Sequence, residues 1–177
     1  MPSLMGYDYD KLYGETPDAL GTPTPVFLDF FKRFEMETAC VLDVGCGQGR
    51  DALFIARMGH RVIGVDHSPN GIRDLVNAAH QENLNIKGIV TDIVTFVPGE
   101  KYDIVLIDRT LHMLPEKERL EVLHRLIGSI RKGGWLLIAD ERSNMAGFKD
   151  VIAASDGIWE TALDARGNLF IRLTDCT

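Results

Sequence analysis

The sequence predicts an α/β protein built on a doubly wound, mostly parallel sheet of about seven strands, finished by a C-terminal antiparallel hairpin. Three features predict it. From Cys40 onward, short apolar runs alternate with amphipathic stretches. The apolar runs are continuous rather than alternating, as strands covered by helices on both faces require. The last two runs instead flank a polar turn containing glycine.

Residues 1–24 hold Pro2, Pro17 and Pro23 with Tyr7, Tyr9 and Tyr13, and show no clear period. They read as a loop or lid before a helix over 26–34. Residues 40–44 (CVLDV) form the first strand, and a helix follows over 51–58. Residues 61–65 (RVIGV) form the second strand. Ser68 then reads as an N-cap with Pro69 at the first helical position, opening a helix to about Glu82. The third and fourth strands lie over 86–91 and 102–107. Pro115 opens a long helix, with Leu120, Leu123, Leu126, Ile127 and Ile130 at helical spacing on one face. Its expected stop is Gly133-Gly134, with Arg131 and Lys132 in the last turn. Residues 135–139 (WLLIA) form the fifth strand. Residues 158–163 and 169–173 flank Asp164–Asn168 and form the hairpin. Alternating strand and helix units wind right-handedly and give a Rossmann-like sheet.

The chain has 177 residues, and all of them are expected in a single domain, 1–177. Its formal net charge is −7, from 19 basic and 26 acidic residues. No Lys/Arg-rich block is present, so the expectation is no nucleic-acid partner. No apolar run reaches membrane-span length, and no secretory signal pattern opens the chain. Cys40, Cys46 and Cys176 are scattered without CxxC spacing, which argues against a disulfide framework or a zinc site. A reducing cytoplasm is the expected compartment.

The stretch Asp43-Val44-Gly45-Cys46-Gly47-Gln48-Gly49-Arg50 carries the most chemistry. It joins the first strand to the first helix, at the edge where open α/β sheets bind ligands. A dinucleotide fingerprint wants Gly or Ala at the sixth position counted from Gly45, and Arg50 stands there. No phosphate-binding GxxxxGK[ST] loop is present either. Asp66 ends the second strand, where an acidic side chain can accept both ribose hydroxyls of a nucleoside. The alternative is an ordinary helix-start Asp. Asp92 and Ile93 end the third strand, with an exposed turn Asp as the alternative reading.

The spacing D-x-G-x-G-x-G resembles the first motif of class I S-adenosylmethionine (SAM)-dependent methyltransferases. Asp66, then Thr91-Asp92-Ile93, Tyr102-Asp103 and Gly133-Gly134 fall at that family's later positions, in order. The family usually has Pro before the Gly pair; Lys132 stands there. The resemblance covers about residues 39–139 and is closest to small-molecule enzymes of the tellurite-resistance and thiopurine types. It implies methyl transfer from SAM, giving S-adenosylhomocysteine (SAH). It implies cofactor contacts from Asp43, Gly45, Cys46, Gly47, Gly49, Asp66, His67, Asp92, Ile93 and Asp108. The tetrapeptide of nucleic-acid amino methyltransferases is absent; Asp108-Arg109-Thr110-Leu111 stands in its place.

The expected reaction is in-line displacement onto a small-molecule acceptor by a monomer or homodimer. The catalytic candidates are His112 and Arg109, both in the loop after the fourth strand. His112 is the titratable base of that loop, or else part of a scaffold Leu-His pair. Arg109 either pairs with Asp108 or grips an anionic substrate. Cys46 is a small side chain rather than a nucleophile. His60, His67, His80 and His124 read as turn or helix-surface residues, with His67 at the edge of an adenine pocket. Two rival functions stand beside this one: a non-catalytic SAM- or nucleoside-binding module, and a nicotinamide oxidoreductase.

Overall fold

The computed structural model describes residues 7–176. Residues 1–6 of the expected lid and the Cys176 thiol lie outside the described residues. Strands β1 (Cys40–Val44), β2 (Arg61–Asp66), β3 (Ile86–Val90), β4 (Tyr102–Asp108) and β5 (Ile130–Ala139) run parallel. Strands β6 (Gly157–Ala165) and β7 (Asn168–Cys176) form a hairpin, with β7 antiparallel to β5. The order across the single sheet is β3-β2-β1-β4-β5-β7-β6. Winding reverses between β1 and β4, which opens a crevice at the carboxyl ends of the strands.

Among the described residues, six helices flank the sheet: α1 (Tyr9–Glu15), α2 (Pro25–Arg33), α3 (Arg50–Arg57), α4 (Pro69–Gln81), α5 (Glu116–Ile127) and α6 (Met145–Ala153). Side chains alternate across a strand, so each strand feeds two cores. Leu42, Val44, Val105 and Ile107 pack with Leu123, Leu126 and Phe148 on one face. Val41, Ile104 and Leu106 pack with Phe27, Phe31, Ile55 and Leu75 on the other. The helix at Pro69 starts as expected: Ser68 Oγ accepts from Gly71 N (2.9 Å), and Pro69 takes the first turn.

The structure corrects the sequence reading in four places. The expected loop before residue 24 contains α1, capped by Asp8, whose Oδ1 accepts from Lys11 N (3.0 Å). Its tyrosines are spaced for a helix, but two flanking prolines mask the period. The long helix from Pro115 ends at Ile127 rather than at Gly133-Gly134. Gly128 ends it, and Ile130 pairs with Tyr102 as the first residue of β5. Arg131 and Lys132 are therefore strand residues, bonded to Asp103 (2.8 Å) and Asp175 (2.9 Å). Gly133-Gly134 falls in a β-bulge between the Tyr102 and Ile104 pairings, with Gly133 at φ +81°. Helix α6, buried through Met145, Phe148 and Ile152, adds an element to the stretch that the sequence reading left without one. Finally, His60 is buried rather than on the surface. Its Nδ1 accepts from Ala39 N (3.1 Å) between the rings of Phe31 and Phe34, and burial pushes its pKa down.

The hairpin turn is tighter than the sequence suggests. Arg166 and Gly167 alone connect the strands, at φ +55° and +83°, the pattern of a type I′ turn. A Cβ on Gly167 would meet Asp140 O at 2.3 Å. Gly167→Ala is thus expected to lower unfolding free energy by about 1–3 kcal/mol. Urea denaturation should show a lower midpoint at unchanged slope.

Candidate ligand site at the carboxyl edge of the sheet

The glycine loop leaves β1 and enters α3 through three left-handed glycines: Gly45 (φ +74°), Gly47 (+52°) and Gly49 (+91°). Each makes room for a side chain of the protein itself. A Cβ on Gly45 would strike Thr110 Oγ1 at 2.2 Å, one on Gly47 the Tyr13 hydroxyl at 2.6 Å, and one on Gly49 Leu75 Cδ1 at 2.3 Å. The loop N–H groups are also used internally. Gly45 N and Cys46 N donate to Val65 O (2.8 and 3.1 Å), Gly47 N to Asp66 Oδ2 (2.8 Å), and Gly49 N to Cys46 O (2.8 Å).

Beside this loop lies a cavity of about 450 Å³, within the usual range for small-molecule sites. Gly45, Asp66, His67, Asp92, Ile93 and Asp108 line it, as do Arg109 and the arm residues Tyr7, Tyr9 and Tyr13. Asp43, Cys46, Gly47 and Gly49 stand behind the wall. Cys46 is buried against Gly64, and burial raises its thiol pKa well above the ordinary value. A second hollow, about 630 Å³, lies between α2 and the hairpin. It is larger and more open, but none of the strand-end carboxylates reaches it, so the chemistry points to the smaller cavity.

Asp66 is held rigidly. Its Oδ1 accepts from Ser68 N (2.8 Å) while Oδ2 holds Gly47 N. It is therefore both the brace of the glycine loop and a cavity carboxylate. Asp92 closes its own turn, accepting from Val94 N (2.8 Å), and stays exposed beside half-buried Ile93.

A buried charge cluster lies at the loop's base. Arg50 pairs with Asp108 and lies 3.5 Å from Asp51. Thr24 Oγ1 donates to Asp108 Oδ2 (2.6 Å), and Thr24 N to Asp51 Oδ1 (3.3 Å). Asp108 Oδ1 and Asp43 Oδ2 are buried without a partner. Burial, reinforced by Asp51 and Asp108, pushes the Asp43 pKa well up. Burial raises Asp51 to about 6, with Arg50 opposing and Asp108 adding to the rise. One guanidinium thus faces an excess of carboxylates.

His112, expected as a catalytic candidate, stands between cavity residues Thr110 and Met113. It does not line the cavity. The 3₁₀ turn Leu111–Met113 carries it toward Asp140, whose Oδ2 accepts from His112 N (3.2 Å) and lies 3.8 Å from Nδ1. Sequence reasoning missed Arg50, which lines the cavity and pairs with Asp108, and Gln48, which ties down the arm. Gln48 Oε1 accepts from Ala19 N (2.9 Å), and its Nε2 donates to Thr16 O (3.0 Å), Tyr13 O (3.3 Å) and Asp74 Oδ2 (2.9 Å). A polar residue between loop glycines was the available signal. Asp10 clamps α1 from the other side, accepting from Ser68 Oγ (2.6 Å) and Asn70 N (3.0 Å). Tyr13 is buried against Gly47, with its phenol pKa raised by burial and by the Asp66 charge.

Residues 41–134 match the family model described as a methyltransferase domain. This chain belongs to that family. It is 33% identical over 114 residues to a probable S-adenosyl-L-methionine-dependent methyltransferase, TehB, of Haemophilus influenzae, covering 64% of this chain and 35% of the relative. It is 31% identical over 119 residues to the 2-heptyl-1-hydroxyquinolin-4(1H)-one methyltransferase of Mycobacteroides abscessus, covering 66% of this chain and 52% of that one. The chain thus spans between a third and about half of these curated relatives. The Haemophilus influenzae TehB crystal structure superposes with a TM-score of 0.70 at 22% identity, covering 85% of this chain and 62% of that one. NodS of Bradyrhizobium japonicum, an N-methyltransferase solved with SAH, gives 0.70 at 14% identity over 94% and 97% of the two chains. These two superpositions establish the methyltransferase fold.

Gln48 gives a direct test of how this methyltransferase-domain chain holds its N-terminal segment. Gln48→Ala is expected to speed protease cleavage within residues 16–24 severalfold and to cost about 1–3 kcal/mol of stability. Limited proteolysis read by mass spectrometry measures the first effect. Unchanged cleavage would place the latch elsewhere.

Proposed function

We propose that the chain binds SAM in the strand-edge cavity and transfers its methyl group to a small-molecule acceptor. The observation that carries this reading is the pairing pattern around the glycine loop. A dinucleotide site offers free loop N–H groups to an anionic pyrophosphate. Here those of Gly45, Cys46, Gly47 and Gly49 are already used, and unpartnered carboxylate oxygens of Asp108 and Asp43 lie close by. Such a base repels a pyrophosphate and suits a cation. The α-ammonium and sulfonium of SAM supply that charge. Relatives named as SAM-dependent and hydroxyquinolone methyltransferases support the same reading.

When bound, SAM supplies an activated methyl group for in-line displacement. The chain's own residues divide the remaining work. Asp66, with both oxygens braced, keeps lone pairs for ribose hydroxyls. Asp92 and Ile93 take the adenine edge and face. Asp108, with Asp43 behind it, meets the methionine end. Tyr7, Tyr9 and Tyr13 wall the cavity from the arm and exclude water, and alignment in a closed site is worth up to about 7–11 kcal/mol. No base is assigned, because His112 faces Asp140 and not the cavity. Among the described residues, no helix is long and apolar enough to cross a membrane.

Two outcomes are expected. SAM and SAH raise the melting temperature while NAD does not, and Asp66→Ala weakens SAH by about 1.5–3 kcal/mol in calorimetry. NAD binding without SAM binding would return the site to an oxidoreductase. The second outcome concerns protons. The ligand-free fold holds Asp51 protonated to about pH 6, above the unfolded value of about 3.9. Ligand-free stability therefore falls as pH rises from about 4 through 6. A cationic ligand favours the ionised carboxylates, so SAM affinity should rise over the same window. Calorimetry near pH 6, in buffers of different ionisation enthalpy, should register proton release. Proton uptake would rule out a cation at this cluster.

A further inference from the structure

We infer that Arg109 selects the methyl acceptor, and that the acceptor is an anion on an apolar body. This rests on the methyl-transfer reading above and names its substrate class. The fourth strand ends in Asp108-Arg109, two adjacent charges that the sequence leaves free to pair with each other. The structure separates them. Asp108 turns to Arg50 and Thr24. Arg109 is left exposed on the cavity wall, and no ion pair engages it among the described residues.

Its direction is set by the fold. Arg109 sits at φ +50°, a left-handed conformation that a side chain adopts at a cost. Arg109 N is tied to Ala139 O (2.7 Å), and the next residue, Thr110, is locked through Oγ1 onto Val44 O (3.0 Å). The turn thus fixes the backbone that sets Arg109 on the cavity wall instead of letting the strand run straight.

The other charged groups on the wall cannot take its place. Arg50 gives its Nη2 to Asp108 and Asp51, and its unpartnered Nε is buried rather than offered at the surface of the cavity. His67 stands 3.5 Å from Asp66. Asp66, Asp92 and Asp108 would repel an anion, in a chain whose net charge is already −7. Arg109 is therefore the exposed arginine of this wall that no carboxylate engages among the described residues, and its planar fork fits a carboxylate or similar oxyanion. The apolar part of the ligand is marked separately. Tyr7, Leu20 and Met113 are exposed by 65%, 40% and 48%, and all three line this cavity, with Leu114 beside them. Exposed apolar side chains gathered at one wall mark a binding surface.

The test uses the full chain saturated with SAH and two matched probes, 2-naphthoate and the uncharged 2-naphthamide, titrated by calorimetry. SAH binding is measured first, and its absence would overturn the cofactor reading by itself. With SAH bound, naphthoate is expected to bind at least tenfold tighter than naphthamide. Arg109→Gln should reduce that preference to less than twofold, and Arg109→Lys should restore part of it. Equal binding of the two probes, no binding of either, or a preference that survives in Arg109→Gln would overturn the inference. So would loss of SAH binding in Arg109→Gln, which would put the residue in the cofactor half of the site.

Discussion

Arg50 is the cation on which the carboxyl edge of this sheet depends. It opens α3, directly after the last loop glycine, and pairs with Asp108 at the end of β4. A strand and a helix thus meet at one guanidinium. Thr24, the residue before α2, joins the same group through Asp108 and Asp51. The arrangement is deliberately short of positive charge. Asp43 and Asp51 relieve the imbalance by holding protons to higher pH than free carboxyls do. The unpartnered oxygens, on Asp43 and Asp108, are the costly groups of this edge, because a buried carboxylate without a counter-charge costs free energy.

The glycine loop serves that site indirectly. Its glycines are places where Thr110, Tyr13 and Leu75 come in from other elements. The loop is the hub onto which β4, α1 and α4 are packed, and its backbone is braced by Asp66. A ligand then meets a rigid wall made of strand ends and arm. The arm is not a loose cover: Asp10, Tyr13, Gln48 and Thr24 attach residues 9–24 to four different places on the Rossmann-like body. Tyr7, Tyr9, Tyr13 and Leu20 of the arm form part of the cavity wall itself.

Much of this was legible in the sequence, and the misses have specific causes. β1 was placed residue for residue, and the Ser68-Pro69 start was read correctly, because caps and apolar runs are local signals. The strand-end acids Asp66, Asp92 and Asp108 were found because they follow those strands at once. The end of α5 was missed because Ile130 continues the helical period by accident. Its partner, Tyr102, lies 28 positions earlier in the chain and claims it for the sheet. His60 was misplaced because nothing local announces the phenylalanines of α2 that enclose it.

By itself the sequence determined the order and type of the elements from β1 to β4 and which acids stand at the strand ends. Those facts follow from hydrophobic period, capping residues and turn glycines, all of which act within a few residues. Only the tertiary structure decided which charges pair. Asp108 could have taken its neighbour Arg109, yet it took Arg50, 58 residues away. It likewise decided that His112 faces Asp140 and that the loop glycines receive protein side chains. These outcomes depend on which side chains the sheet brings together across its crevice. That juxtaposition is set by topology and packing rather than by any local rule.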